Sequence, residues 1–258
     1  MKEAVPGETT EGIAGGGGAA QPARRPRVIC HMTASIDGRI VTDDWPLSAE
    51  GRRQYELVHA TYDAEGWLCG RVTMERHFAA GVRPAAELAR EHDGPPREDF
   101  VAPGDHASFA FAVDPRGRLR WESGDLDGDH LVVVVTERVS DDYLAGLRAR
   151  GVSYLLAGAA DVDFAVALEK IGARFGVRTL MLEGGGGING ALLRAGLVDE
   201  VSLLVAPVAD GRVGTPALFD VDDHGGDGVR PWRLALEGVE RRPDDVLWLR
   251  YRVETQAS

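Results

Sequence analysis

The sequence predicts an α/β fold in three layers, with a mostly parallel central sheet, helices on both faces and a C-terminal antiparallel hairpin. Three observations carry that expectation. Strand-like and helix-like segments alternate from 131 to 208, the pattern of parallel strands joined by crossover helices. LVVVVT (131–136) is continuously apolar and β-branched, as a strand covered on both faces should be. The stretch from Leu234 to Val253 reads instead as two strands turned at Arg241-Arg242-Pro243-Asp244.

The elements follow in order. Residues 1–26 are Gly, Ala, Pro and charge without periodicity, which predicts a disordered leader before a single domain over 27–258. VICHMTAS (28–35) is a short apolar strand, and Asp37-Gly38 turns the chain before Arg39-Ile40-Val41. Residues 48–62 read as a helix with Ser48 as N-cap and with Tyr55, Leu57 and Val58 as its apolar positions. WLCG (67–70) is a buried strand ending at glycine, and Arg71-Val72-Thr73-Met74-Glu75 opens a helix. Residues 79–108 read as a surface excursion holding one short helix, Pro84 to His92. FAFAV (109–113) is a strand and Asp114-Pro115-Arg116-Gly117 a turn. After 131–136 comes a capped helix, 140–151, stopped by Gly151. VSYLLAG (152–158) is a strand, and 163–176 a helix stopped by glycine. TLMLEGGGG (179–187) is a strand running into four glycines, INGALLRAGL (188–197) a short helix, and EVSLLVAPV (200–208) a strand.

Composition narrows the function classes. The formal charge of −12 argues against a nucleic-acid partner, because phosphate binding needs a basic surface. No apolar run approaches the ~20 residues of a membrane span, and the N-terminal residues lack the continuous apolar core of a secretory signal. Cys30 and Cys69 sit outside any C-x-x-C pair and read as buried free thiols in a reducing cytoplasm. No two histidines stand at i, i+4, and neighbours Cys30 and His31 point to opposite faces of their strand, so no metal is expected. No G-x-S-x-G nucleophile elbow occurs.

The informative segment is Leu182-Glu183-Gly184-Gly185-Gly186-Gly187-Ile188-Asn189-Gly190. A strand ends, glycines follow and a helix begins. Backbone N–H groups there can approach an anion, and the helix N-terminus adds a favourable dipole, which suits a pyrophosphate. Gly185, Gly187 and Gly190 satisfy G-x-G-x-x-G, a weak match by itself; a flexible glycine turn is the alternative. Glu183 would face the crevice at the carboxyl edge of the sheet, where α/β proteins bind ligands, or be a solvated strand-end carboxylate. Gly70-Arg71-Val72-Thr73 repeats the strand-end logic with a cation and a hydroxyl. Thr136-Glu137-Arg138 closes the strongest strand in the same way. Arg71 and Arg138 are the candidate cations for a phosphate-bearing ligand.

MTASIDGRI (32–40), WLCGRVT (67–73), LEGGGGINGALLRAGLVDEV (182–201) and LLVAPV (203–208) together resemble the reductase domain of bacterial riboflavin biosynthesis. The resemblance spans roughly residues 27–220. It implies a dihydrofolate-reductase-like fold and an NADPH-dependent reductase without metal or flavin. The reaction of that family reduces the ribosyl group of an aminopyrimidine ribotide to a ribityl chain, with hydride delivered to C1′ of the ring-opened imine. The resemblance assigns Thr33, Trp45, Thr73 and Thr136 to the cofactor, to which the strand-end reading above adds Gly70, Arg71 and Arg138. It assigns Gly184, Gly185, Gly186, Gly187, Ile188, Asn189 and Gly190 to its pyrophosphate. Glu183 matches a substrate-binding glutamate, and Asp43 a position often held by a substrate-contacting serine. His59 stands where an arginine usually binds the substrate phosphate, and Glu75-Arg76-His77-Phe78 replaces the usual Asp-Asp-Pro. The substrate is then a small heterocycle, a ribotide or riboside. The alternatives are a reductase of a pterin or other heterocycle and a non-catalytic NADPH-binding protein. The family implies a homodimer, for which Leu247-Trp248-Leu249 and Val201 to Val208 are either interface or core.

Overall fold

The computed structural model describes residues 25–84, 88, 97–221 and 231–254. Strand β1 (Arg27–Ala34) is followed by helix α1 (Ala49–His59), a 3-10 turn (Ala60–Tyr62), β2 (Gly66–Gly70) and α2 (Arg71–His77). Then come β3 (Gly81–Val82), β4 (Phe109–Val113), β5 (Leu119–Arg120), β6 (Asp125–Leu126) and β7 (Asp129–Val135). The remainder is α3 (Asp141–Ala149), β8 (Ser153–Leu156), α4 (Phe164–Phe175), β9 (Thr179–Leu182), α5 (Gly186–Arg194), β10 (Glu200–Val205), β11 (Leu234–Arg241) and β12 (Leu247–Val253).

The main sheet runs β11-β12-β10-β1-β9-β2-β4-β7, with β6 on the first residues of β7 and β8 on its remainder. Every pairing from β10 through β8 is parallel, and β12 and β11 add an antiparallel hairpin at one edge. The expected class is therefore the one observed. One register row crosses six parallel strands: Val201, Cys30, Leu182, Leu68, Phe111 and Val132. All six are at most 1% exposed. Burying each of the larger ones contributes about 1.5–3 kcal/mol. These side chains pack under α4 and α5 through Leu168, Ile171, Ile188 and Leu192. The alternate residues, among them Cys69, Ala112, Leu131, Val133 and Tyr154, pack against α2 and α3 through Met74, Tyr143, Leu144 and Leu147. Helix α1 covers the same face over β10 and β12, where Val58 meets Leu204 and Trp248. Two covered faces explain why the strands read as continuous apolar runs.

Several expectations are corrected. The helix of 48–62 ends at His59 and continues as a 3-10 turn. Its inward residues are Gly51, Gln54 and Val58, while Leu57 is 37% exposed. The four glycines do not form one loop, because α5 already begins at Gly186. The excursion after 79 contributes β3, which pairs with β5, and Phe100, which bridges to Tyr154. Most of the helix expected over 84–92, like most of the leader expected over 1–26, lies outside the described residues. Strand β10 is interior, flanked by β1 and β12, so Val201 and Leu204 are core and offer no interface. No helix among the described residues is long and apolar enough to cross a membrane.

Two of the glycines are explained by packing. A Cβ on Gly186 would lie 2.2 Å from the Ala217 carbonyl oxygen, and one on Gly190 2.2 Å from that of Asp220. Segment 217–220 thus lies directly on one face of α5, held by the Asp220 amide donating to Gly186 O at 3.0 Å. On Gly187 a Cβ would meet nothing within 4 Å. Gly190→Ala should therefore destabilise the protein by about 1–3 kcal/mol through overpacking, despite the better helix propensity of alanine. Urea denaturation checks this, with Gly187→Ala as the tolerated comparison.

Candidate active site

The parallel strands deliver their carboxyl ends to one edge of the sheet, and the candidate residues collect there. Among the described residues five α-helices have defined N-termini, and their caps divide by location. Ser48, Ser140 and Asp163 cap α1, α3 and α4 with side-chain oxygens that accept from backbone amides. Helices α2 and α5 begin at Gly70 and Gly185 with no side-chain cap. Their first-turn N–H groups have no partner within the helix and are left open to a ligand.

Both uncapped starts open on one cleft of about 450 Å³. Gly70, Arg71, Thr73, Gly185, Gly186, Gly187 and Ile188 line it, with Asp43, Arg76, Pro115 and Asp220. Gly70 donates to Gly184 O at 2.8 Å, which ties the two glycine turns together. A Cβ on Gly185 would stand 3.7 Å from the Thr73 hydroxyl oxygen. Both cations of the cleft already hold carboxylates: Arg71 pairs with Glu75 and Arg76 with Asp43.

A second cavity of about 370 Å³ adjoins the first. Met32, Thr33, Tyr55, Arg52 and Glu183 line it, and the two cavities share Ile40 and Thr42. Glu183 follows Leu182, so strand alternation turns its side chain away from α5 and toward α1. His59 Nε2 lies 3.4 Å from Glu183 Oε1. That oxygen is buried and accepts no hydrogen bond from the protein. Burial pushes the Glu183 carboxyl up to about 8; the nearby Tyr55 hydroxyl, which donates to the His31 carbonyl at 3.3 Å, opposes the rise, and Glu56 and Asp129 add to it. Burial likewise lowers the His59 imidazole, against Glu56 and Asp129. Burial thus acts on both partners in the same sense, toward a protonated carboxyl and an uncharged imidazole.

The other sequence-derived candidates lie elsewhere. Thr136 is fully buried and donates to Pro115 O at 2.6 Å, so it braces the cleft wall from behind. Arg138 is exposed and lines neither cavity. Trp45 is buried against Ala206 and Val208 and donates to Asp210 Oδ2 at 2.9 Å; it also lines neither. The Asn189 side chain is buried and donates to Leu218 O at 3.0 Å, which makes it a brace for the segment covering α5. Sequence reasoning passed over Tyr55, Arg76, Ile40 and Thr42. Arg76 carried a legible signal, standing one helical turn beyond Thr73; the other three gain meaning only from the walls they share. Among the described residues no three His, Cys, Asp or Glu side chains converge as metal donors.

Comparison with known proteins gives a consistent picture. The profile of the RibD C-terminal domain family matches residues 26–248. A 2,5-diamino-6-ribosylamino-4(3H)-pyrimidinone 5′-phosphate reductase of Methanothermobacter thermautotrophicus is 29% identical over 209 residues, covering 80% of this chain and 90% of that protein. A pyrimidine reductase-like protein of Corynebacterium diphtheriae superposes with a TM-score of 0.64 at 18% identity, covering 90% of this chain and 93% of that one. RibD of Acinetobacter baumannii superposes with a TM-score of 0.60 at 20% identity; the match covers 89% of this chain but 58% of that longer one.

The buried acid has a measurable cost. The folded-state value of about 8 exceeds the ordinary 4.5, so stability tied to the proton is complete below about 4.5 and lost as pH rises through about 8. Glu183→Gln should match wild type in stability near pH 4 and exceed it by about 4 kcal/mol at pH 8. Chemical denaturation at the two pH values measures the difference.

Proposed function

The chain belongs to the RibD C-terminal domain family, and from that premise we propose that it is an NADPH-dependent reductase of an aminopyrimidine ribotide or riboside. In this reading it converts the ribosyl group to ribityl as one cytoplasmic reductase domain. The observation that carries the reading is the shared wall of the two cavities. A dinucleotide lying along the glycine cleft would bring its nicotinamide past Ile40 and Thr42 into the cavity lined by Thr33, Tyr55 and Glu183.

The residues of the cleft fit such a cofactor. The uncapped first turn of α5 offers backbone donors to a pyrophosphate, and the open space beside Gly187 leaves room for it. Thr73 adds a hydroxyl at the same spot. Arg71 and Arg76 are the cations within reach of a 2′-phosphate, each exchanging a carboxylate partner for it. When bound, the cofactor supplies the hydride. The protein's part is to bind, orient and exclude water. Thr33 and Tyr55 shape the substrate cavity, and Glu183 in its acid form offers a hydrogen-bond donor to a polar ring or sugar oxygen. The described walls of this cavity contribute one arginine, Arg52, which donates to the Thr42 and Trp45 carbonyls.

We further propose a homodimer built on the β11–β12 hairpin. Leu236, Val239 and Leu247 expose 57%, 55% and 39% of their surface there, and β11 is an edge strand.

Calorimetric titration should show NADPH binding more tightly than NADH, and Gly187→Ala should weaken NADPH about tenfold while leaving stability intact. Purified protein should oxidise NADPH in the presence of 2,5-diamino-6-ribosylamino-4(3H)-pyrimidinone 5′-phosphate or its dephosphorylated riboside. Absence of turnover with both would sink the assignment. Sedimentation should report a dimer that the double substitution Leu236→Glu and Val239→Glu converts to monomer; an unchanged mass would exclude this hairpin as the interface.

A further inference from the structure

We propose that Glu183 is the acid that opens the sugar ring of the substrate, and that His59 is the positioning residue that returns its proton from solvent. The inference rests on the reductase reading above and assigns the proton step that reading leaves without a donor.

The chemistry requires one proton and one hydride. In a closed ribosylamine, the lone pair of the exocyclic nitrogen forms a C=N bond to C1′ as the C1′–O4′ bond breaks. The electrons of that bond leave on O4′, which must take a proton. Hydride from the reduced nicotinamide then adds to C1′ and neutralises the iminium nitrogen. The proton donor has to hold its proton at working pH, reach the sugar side of the cavity and be recharged after each turnover.

Glu183 meets these requirements by position. Its carboxyl lines the substrate cavity with Thr33 and Tyr55. Among the described residues its side chain has no lysine or arginine partner, and Oε1 lacks any hydrogen bond from the protein. The groups on its side of the sheet come from four elements. Helix α1 supplies Arg52, Tyr55, Glu56 and His59; β1 supplies His31, whose ring lies 6.1 Å from that of His59; β2 supplies Cys69; and β7 supplies Asp129, while Cys30 on the opposite face of β1 senses the acid only through the sheet. Glu56 and Asp129 reinforce the burial that keeps the acid protonated, and Tyr55 opposes them. Burial pushes both thiols up, so they stay uncharged. Burial also holds His31 down at about 4, with its ring nitrogens 3.0 Å from Ser202 Oγ and 3.1 Å from the Tyr55 carbonyl oxygen. Among the described residues no lysine or arginine pairs with Glu183: Arg52, on another wall of the same cavity, is held by the Thr42 and Trp45 carbonyls, and the His59 imidazole lies 3.4 Å from the acid.

His59 is placed to recharge it. Its side chain is 29% exposed, against 15% for Glu183, so it spans from the buried acid to water. While Glu183 is protonated, burial keeps the imidazole neutral. Once Glu183 has given up its proton, the new carboxylate raises the proton affinity of the adjacent ring. His59 then takes a proton from water and passes it inward.

Infrared difference spectra of wild type minus Glu183→Gln at pH 7 should show the carbonyl stretch of a protonated carboxyl, fading as pH rises through about 8. A carboxylate signature at pH 7 overturns the proposal without reference to activity. With the 5′-phosphate substrate, Glu183→Gln should lower kcat roughly 100-fold with little change in KM and remove the alkaline limb of the pH profile. His59→Ala should leave the first turnover of a rapid-mixing experiment unchanged, slow steady-state turnover about tenfold, and be rescued by added imidazole. A His59→Ala enzyme that imidazole does not rescue, or a Glu183→Gln enzyme changed only in KM, overturns the relay. Wild-type protein that binds NADPH but never oxidises it with this substrate overturns the reductase reading itself, while the infrared band still decides whether Glu183 stores a proton.

Discussion

The row Val201, Cys30, Leu182, Leu68, Phe111 and Val132 is the constraint on which the rest of the molecule depends. Both faces of the parallel part of the sheet are covered, so each of its strands has two apolar sets and each set must meet its own layer of helices. A slip of one residue in any strand would exchange the sets. In β9 such a slip would drive Glu183 toward the face packed against Leu168 and Leu192 and bring Leu182 to the cavity. The same parity that builds the core thus delivers an acidic side chain to the α1 side of the carboxyl edge.

The helix starts show how local sequence separates scaffold from site. Serine and aspartate satisfy the first turns of α1, α3 and α4, a saving of about 1 kcal/mol per cap. At the cleft those caps are absent, and glycine stands instead at the start of α2 and α5. The glycines do not act alike. Gly186 and Gly190 let segment 217–220 approach α5, whereas Gly187 faces open space. What reads in the sequence as one phosphate-binding run is a structural pair interleaved with positions open to a ligand.

The cavity beneath α1 carries the stored cost. A carboxyl buried beside Glu56, Asp129 and an uncharged imidazole is a poor choice for stability and a good one for holding a proton at neutral pH. Around it the polar groups that serve the fold are satisfied: Ser202 receives the indole N–H of Trp248 at 2.9 Å and lies 3.0 Å from the ring of His31. The contrast between a satisfied network one layer away and an unpartnered oxygen in the cavity is what marks Glu183 out.

The sequence by itself determined the class of the fold, the order of the main elements and most of the lining of the glycine cleft. The physical reason is that those features are local. Alternation, β-branched runs, Ser and Asp caps and a glycine-rich helix start are each written within a few neighbouring residues. Only the tertiary structure decided the rest. It removed Arg138 and Trp45 from the cavity walls, turned Thr136 into a brace behind Pro115, and made Val201 to Val205 an interior strand. It also brought His59 within 3.4 Å of a residue 124 positions later in the chain. Such contacts depend on which strand lies beside which, and the proton state of Glu183 depends on how deeply that assembly buries it. Neither is encoded in any short stretch of sequence.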